Sequence, residues 1–179
     1  AVKRQNRTKN RIRQAALVGY TNAGKSSLLN ALTGADIYAE NQLFATLDTT
    51  VRALELDKSK VLLSDTVGFI RDLPKELVEA FQATLEELKD ADVLLHVVDA
   101  SNANYREQIK AVDSILISLN IEQKPIIYVF NKIDLVDDEA EFLLYPDSVC
   151  VSAQTGQGLE KLQEKLRQVL FGDNKKQKF

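Results

Sequence analysis

Methionine and tryptophan are absent from this 179-residue sequence, cysteine and histidine occur once each, and proline occurs three times. A complete translated chain normally begins with methionine, whereas this one begins Ala1-Val2-Lys3-Arg4. It therefore reads as an excerpt of a larger protein, cut within a linker or helix. The lone cysteine, Cys150, excludes a disulfide framework within the chain and fits a reducing compartment. One histidine with one cysteine makes a finger-type zinc site untenable. No apolar run approaches the roughly 18 residues that a membrane-spanning helix needs, and no secretory signal is recognisable.

What remains is ordinary globular composition, 45% apolar and 27% charged. The length suits one domain, which buries roughly 70% of its extended surface. The net charge of −3 is unevenly spread. Residues 1–13 hold Lys3, Arg4, Arg7, Lys9, Arg11 and Arg13 and no acid, so the remainder carries about −9. Residues 173–179 are basic again. Such ends either contact phosphate backbones or are solvated linkers. The body is not uniformly basic, as that of a dedicated nucleic-acid binder would be.

Short apolar runs alternate with amphipathic segments. Ala15–Val18, Val61–Asp65, Val93–Asp99, Ile126–Phe130 and Ser148–Ser152 read as strands, and Val51–Leu56 alternates with period two, as an antiparallel edge strand does. Lys25–Leu32 reads as a helix stopped by Gly34. Pro74 opens another, with Leu77, Phe81, Leu85 and Leu88 on one face. Ile109, Val112, Leu116 and Leu119 mark a third, and Leu159, Leu162, Leu166 and Val169 a closing one. The order implies an α/β fold, with a mostly parallel six-stranded sheet, one antiparallel edge strand and helices on both faces. The long irregular stretch, roughly residues 36–50, has the length of a functional loop. His96 and Cys150, both within strands, read as core residues.

Gly19-Tyr20-Thr21-Asn22-Ala23-Gly24-Lys25-Ser26 matches G-x-x-x-x-G-K-[ST] between an expected strand and helix, the context of a phosphate-binding P-loop. Glycines let successive N–H groups curl toward phosphate oxygens, and the helix start adds a favourable dipole. Lys25 brings a point charge to the β- and γ-phosphates, the Ser26 hydroxyl suits Mg²⁺, and Ser27 continues the contact surface.

Asn131-Lys132-Ile133-Asp134 ends a strand. The Asp134 carboxylate can accept from the N1–H and exocyclic amine of guanine, a pair of donors that adenine lacks on that edge. Asp65-Thr66-Val67-Gly68 ends another strand; Asp65 suits a Mg²⁺-bound water and the Gly68 amide the γ-phosphate. Ser152-Ala153-Gln154 suits closure over the base through backbone amides.

These elements, in this order, resemble the translation-factor-like class of GTPases. The phosphate loop, Leu43-Phe44-Ala45-Thr46-Leu47-Asp48, Asp65-Thr66-Val67-Gly68-Phe69-Ile70-Arg71-Asp72-Leu73-Pro74 and Leu77-Val78-Glu79-Ala80-Phe81-Gln82-Ala83-Thr84-Leu85 together look like the HflX family. The resemblance spans about Arg11 to Phe171 and implies a basic linker at 1–13 from an N-terminal domain, a GTPase domain at 14–172 and a basic tail at 173–179. It implies GTP hydrolysis at a slow basal rate, binding to the large ribosomal subunit with rRNA contact, ribosome splitting, a cytoplasmic location and a monomer. By position Thr46 matches the switch threonine, which with Ser26 ligates Mg²⁺, and Phe44, Ala45, Leu47 and Asp48 line the same segment. Two departures flank it, since the family usually has Pro at Thr49 and Thr at Val51.

Many GTPases place a water-orienting glutamine where this chain has Phe69. An aromatic ring cannot hold that water, so backbone, ion or partner must. Lys25, Asn22 and Gly68 are the candidates in this chain for assisting the reaction. In several GTPases an asparagine at the position of Asn22 helps to coordinate K⁺; Asn22 either does this or only caps the loop. Arg52 and Arg71 flank the switches and suit solvent or ribosome contact better than a finger role. Two other classes remain open: a nucleotide-dependent binding module with little hydrolysis, and an ATP-using enzyme of the same fold. Phe69→Gln is expected not to restore fast turnover, because the switch was not built to aim that side chain. Single-turnover hydrolysis in Na⁺ and K⁺ checks this, and a tenfold gain, about 1.4 kcal/mol of barrier, would overturn it.

Overall fold

The computed structural model describes residues 12–20, 23–34, 50–56, 58–65, 87–118, 120–121 and 123–172. The strands are β1 (Arg13–Gly19), β2 (Thr50–Leu56), β3 (Ser59–Asp65), β4 (Val93–Asp99), β5 (Ile126–Asn131) and β6 (Ser148–Cys150). The helices are α1 (Lys25–Thr33), α2 (Tyr105–Ser118) and α3 (Leu159–Phe171). Short 3₁₀ turns occupy Glu87–Asp90, Ile133–Leu135 and Phe142–Leu144.

The six strands form one sheet in the order β2-β3-β1-β4-β5-β6. All neighbours are parallel except the β2–β3 hairpin. Burial explains the run-like sequence of β4, whose Val93 to Val98 are all buried. A central parallel strand is covered on both faces and has no use for polar alternation. In β2, by contrast, Leu54 and Leu56 are buried while Val51, Ala53 and Glu55 are exposed. That period-two pattern is the one the sequence displays.

Helices cover both faces. Leu28, Leu29 and Leu32 of α1 and Leu162, Leu166 and Leu170 of α3 pack on Leu17, Leu63, Leu95, Val97 and Val129. Val112 and Leu116 of α2, with Leu88, pack on Ala16, Val18 and Leu94. A third cluster gathers Phe130, Tyr105, Ile109, Ile133 and Phe142 at the ends of β4 and β5. Its rings meet edge-on or tilted, with centroids 4.7–6.1 Å apart.

Several expectations need adjustment. The last strand stops at Cys150 rather than Ser152; Val151 N–H still donates to Phe130 O at 2.8 Å, and the Ser152 N–H donates to Gln157 O at 2.8 Å. At the end of α3, Val169 packs partly buried against the core as expected, and Leu170 joins it there. Leu88 sits in a 3₁₀ turn. Pro74, Leu77, Phe81, Leu85, Leu119 and the loop 36–49 lie outside the described residues, as do residues 1–11 and 173–179. His96 is 1% exposed, with Nδ1 3.5 Å from Asp113 Oδ1 and its ring 5.3 Å from that of Tyr128. Burial pushes the Cys150 thiol up to about 11, far from a reactive thiolate. No helix among the described residues is long and apolar enough to cross a membrane.

Parallel register puts the carboxyl ends of four strands side by side. Leu17 pairs with Asp65, Gly19 with Val97 and Asp99 with Asn131. Open α/β sheets bind ligands at this edge.

Candidate functional site

The first half of the site grows from the end of β1. Gly19 lies against β4; a Cβ there would approach Val97 O to 2.5 Å, so a side chain would wedge the two strands apart. The chain then reaches Gly24, whose φ of 90° and ψ of 29° are left-handed. A Cβ on Gly24 would collide with the Asn131 side-chain nitrogen. Strain and space thus both require glycine. The Gly24 carbonyl accepts from Leu28 N–H at 2.9 Å and starts α1. This start has neither a side-chain cap nor an acid in its first turn. Uncapped N–H groups at the positive end of a helix suit an anion.

Lys25 is 8% exposed. Burial pushes its ammonium pKa down, while the charge of Asp65 acts in the opposite direction. A cation held this way gains from any further anion. Ser26 Oγ donates to Asp65 Oδ2 at 2.7 Å, and Asp65, at the end of β3, is 2% exposed. Among the described residues no three His, Cys, Asp or Glu cluster as a metal cage. One hydroxyl beside one carboxylate is the sparse, hard-oxygen set that suits Mg²⁺ shared with phosphates.

The second half grows from β5. Asn131 is 2% exposed. Its Nδ2 donates to Ala23 O at 3.1 Å and its Oδ1 accepts from Ala153 N–H at 3.0 Å. One side chain therefore ties the phosphate loop to the turn after β6. Lys132 follows in the left-handed region, φ 64°, and its Nζ donates to Asp99 Oδ2 at 3.1 Å. Asp134 is exposed in the next 3₁₀ turn, and Ser152 Oγ donates to its Oδ1 at 2.8 Å. Ser152 is wholly buried and accepts Thr155 N–H at 3.1 Å on the same oxygen.

The structure brings Gly19, Tyr20, Ala23, Gly24, Lys25, Ser26, Ser27, Asp65, Asn131, Lys132, Ile133, Asp134, Ser152, Ala153 and Gln154 to one edge of the sheet. Thr21, Asn22, Phe44, Ala45, Thr46, Leu47, Asp48, Thr66, Val67, Gly68, Phe69 and Arg71 lie outside the described residues. Arg52 bonds its own strand, Nη1 to Val51 O at 3.2 Å. Sequence reasoning missed three features. One is Asp99, whose only signal is an acid ending a buried strand, as in Asp65. The others are the use of the Ser152 side chain on Asp134 and the internal partner of the Ala153 amide.

A phosphate loop at β1, an acid at the end of β3 and an Asn-Lys-x-Asp corner at β5 define a P-loop GTPase domain. The sequence family described as "50S ribosome-binding GTPase" matches residues 14–132. GTPase HflX of Caldanaerobacter subterraneus is 50% identical over 175 residues, covering 95% of this chain and 40% of that protein. GTPase HflX of Escherichia coli is 45% identical over 176 residues, 95% of this chain and 41% of its own length. A GTP-binding protein from Sulfolobus solfataricus, solved in complex with GDP, superposes with a TM-score of 0.72 at 31% identity, over 95% of this chain and 56% of that one. The chain belongs to the HflX family of GTPases. It spans about two fifths of the length of these curated relatives.

Removing the Asn131 side chain leaves Ala23 O and Ala153 N–H without their partners. Asn131→Ala is expected to cost about 2–4 kcal/mol of stability, since each buried orphan costs ~1–3 kcal/mol. Asn131→Asp keeps the acceptor for Ala153 but buries a carboxylate whose second oxygen faces the Ala23 carbonyl, so it should cost at least as much as alanine. Denaturant unfolding measures all three.

Proposed function

We propose that this chain binds GTP, hydrolyses it to GDP and phosphate, and couples the two states to binding of the large ribosomal subunit. The observation that carries the nucleotide reading is the Asn131 side chain, which joins the phosphate loop to the base corner at fixed distance. A phosphate cradle and a purine reader held as one unit fit a whole nucleoside phosphate. GDP bound to the Sulfolobus relative supports the same ligand class.

On this reading the backbone N–H groups at Gly24 to Ser26 hold the β-phosphate, and Lys25 meets the β- and γ-oxygens. Tyr20, Thr21, Ala23 and Ser27 complete the cradle. Ser26 and Thr46 ligate Mg²⁺ directly, and Asp65 holds it through water. The ion supplies charge neutralisation between the β- and γ-phosphates. The Ser26–Asp65 bond supports this set, because a hydroxyl that donates its proton keeps its lone pairs for a cation. The Gly68 amide meets the γ-phosphate, and Thr66 and Val67 carry the chain toward it. Phe44, Ala45, Leu47 and Asp48 flank Thr46. Asn22 is the residue that would hold a K⁺, whose charge would stand in for an arginine finger.

Asp134 reads guanine. The Ser152 hydroxyl fixes one carboxylate oxygen, which orients the group before a base arrives. Lys132 with Ile133 forms the ledge beside the purine, and the Gln154 and Ala153 segment closes over it. The large-subunit partner is supported by the description of the matching family and by the basic residues 1–13 and 173–179, which suit rRNA phosphates. A cytoplasmic site of action fits that partner. Phe69 favours a second reading, in which the chain is chiefly a nucleotide-dependent binding module.

GTP turnover of the full-length protein with and without large subunits tests the whole proposal. Marked stimulation supports it, and equal rates favour the module. Asp134→Asn should weaken GTP binding by about 3 kcal/mol or more, because a charged, paired contact is lost. It should also improve binding of xanthine nucleotides, whose 2-oxo group wants a donor. Fluorescent-nucleotide titration reads both, and equal affinity of the wild type for ATP and GTP would sink the assignment.

A further inference from the structure

The base corner contains one charged side chain that the motifs leave without a role. Asp99 ends β4 and sits in register opposite Asn131. Its Oδ2 accepts from Lys132 Nζ at 3.1 Å. Its Oδ1 accepts from Ser101 N–H at 2.9 Å and from Ser101 Oγ at 2.6 Å. The carboxylate is 14% exposed and the lysine 34%. The acid is thus fixed by its own turn, and the lysine lies along it.

We propose that Asp99 is a positioning residue for nucleotide affinity, holding Lys132 extended beside the purine and keeping its ammonium away from Asp134. This deepens the guanine-site reading and rests on it. Two physical effects point the same way. Lysine has a four-carbon stem with many rotamers, and ordering it during ligand binding weakens affinity. Pairing with a pre-fixed carboxylate orders it during folding instead. The second effect is competitive. A lysine released from Asp99 has Asp134 as the next carboxylate along the chain, and an ammonium there would contest the oxygens that read the base. Asp99 therefore leaves Asp134 with a single internal donor from the corner's side chains, Ser152 Oγ, and room for two donors from a guanine.

The pair is partly exposed, so its direct contribution to stability is small. Its effect belongs in ligand release. Asp99→Asn in the full-length protein is expected to speed release of fluorescent GDP and GTP analogues about tenfold, the size associated with ordering one long side chain on binding. Preference for GTP over ATP should persist, since Asp134 is intact. Ser101→Ala, at an exposed position, loosens the same carboxylate and should give a smaller change in the same direction. A cycle with Lys132→Ala decides whether the lysine is the route. The double variant Asp99→Asn/Lys132→Ala should release nucleotide no faster than Lys132→Ala alone.

Three results overturn the proposal: unchanged release in Asp99→Asn, additive losses in the double variant, or a nucleotide-free thermal midpoint that falls in step with affinity in both Asp99→Asn and Ser101→Ala. The last would make the pair a structural strand-end tie. Asp134→Asn, measured alongside, separates the two levels. If it leaves base preference unaltered, the guanine-site reading fails. If it behaves as expected and Asp99→Asn does not, only the positioning role fails.

Discussion

Almost every feature of the nucleotide edge is spaced by the buried carboxamide of Asn131. Its amide reaches the phosphate loop at Ala23, its oxygen takes the Ala153 N–H, and its own peptide carbonyl takes the Ala100 N–H at 2.9 Å. Three loops from three strand ends thus share one residue. A carboxamide is the only common side chain of this size that donates and accepts from adjacent atoms with no charge to desolvate. Aspartate, of the same shape, would aim an oxygen at the Ala23 carbonyl. The close fit also dictates Gly24, where a side chain would occupy the space of the Asn131 nitrogen.

The sheet makes that spacing possible. Parallel pairing of β1 with β3 and β4, and of β4 with β5, places Gly19, Asp65, Asp99 and Asn131 along one edge. These residues lie far apart in sequence, and none of them could assemble a site through local structure. The cores on the two faces hold the strands at the distance the edge requires. The aromatic cluster of Tyr105, Phe130 and Phe142 does the same beneath the base corner. It is anchored at Phe130, immediately before Asn131.

Much of this was legible from the residues alone. Uniform apolar runs announced the buried parallel strands, and period-two alternation announced the edge strand β2. Motif order placed the phosphate loop before the acid and the acid before the base corner. The features that were not legible are contacts between side chains whose partners depend on register. Asp99 and Lys132 are 33 residues apart, and only the pairing of β4 with β5 makes them neighbours. Ser152 and Asp134, 18 residues apart, meet because Val151 is hydrogen-bonded to Phe130 and Ile133 across the ends of β5 and β6. The end of α3 shows a smaller effect of the same kind. Leu159, Leu162, Leu166 and Val169 lie on the core stripe as read, and Leu170 adds a contact the spacing did not single out.

Charge is distributed unevenly between the two halves of the site, and that bears on how a switch could work. The phosphate half is prepared but electrostatically uncomfortable. Its lysine is buried and its ammonium disfavoured by desolvation, and its helix start has no internal anionic cap. The base half is already satisfied, with Lys132 paired to Asp99 and Asp134 fixed by Ser152. On the proposed reading this corner meets the same base in GDP and GTP. Interactions equal in both states shift no equilibrium, however strong they are. Discrimination between the two nucleotides must therefore come from groups that touch only the terminal phosphate. On the proposed reading those groups are Thr46 and Gly68. The Ser26–Asp65 hydrogen bond joins the start of α1 to the end of β3. A corner whose contacts are the same in both states supplies affinity alone, so the energetic difference between the states has to be read at the phosphate half.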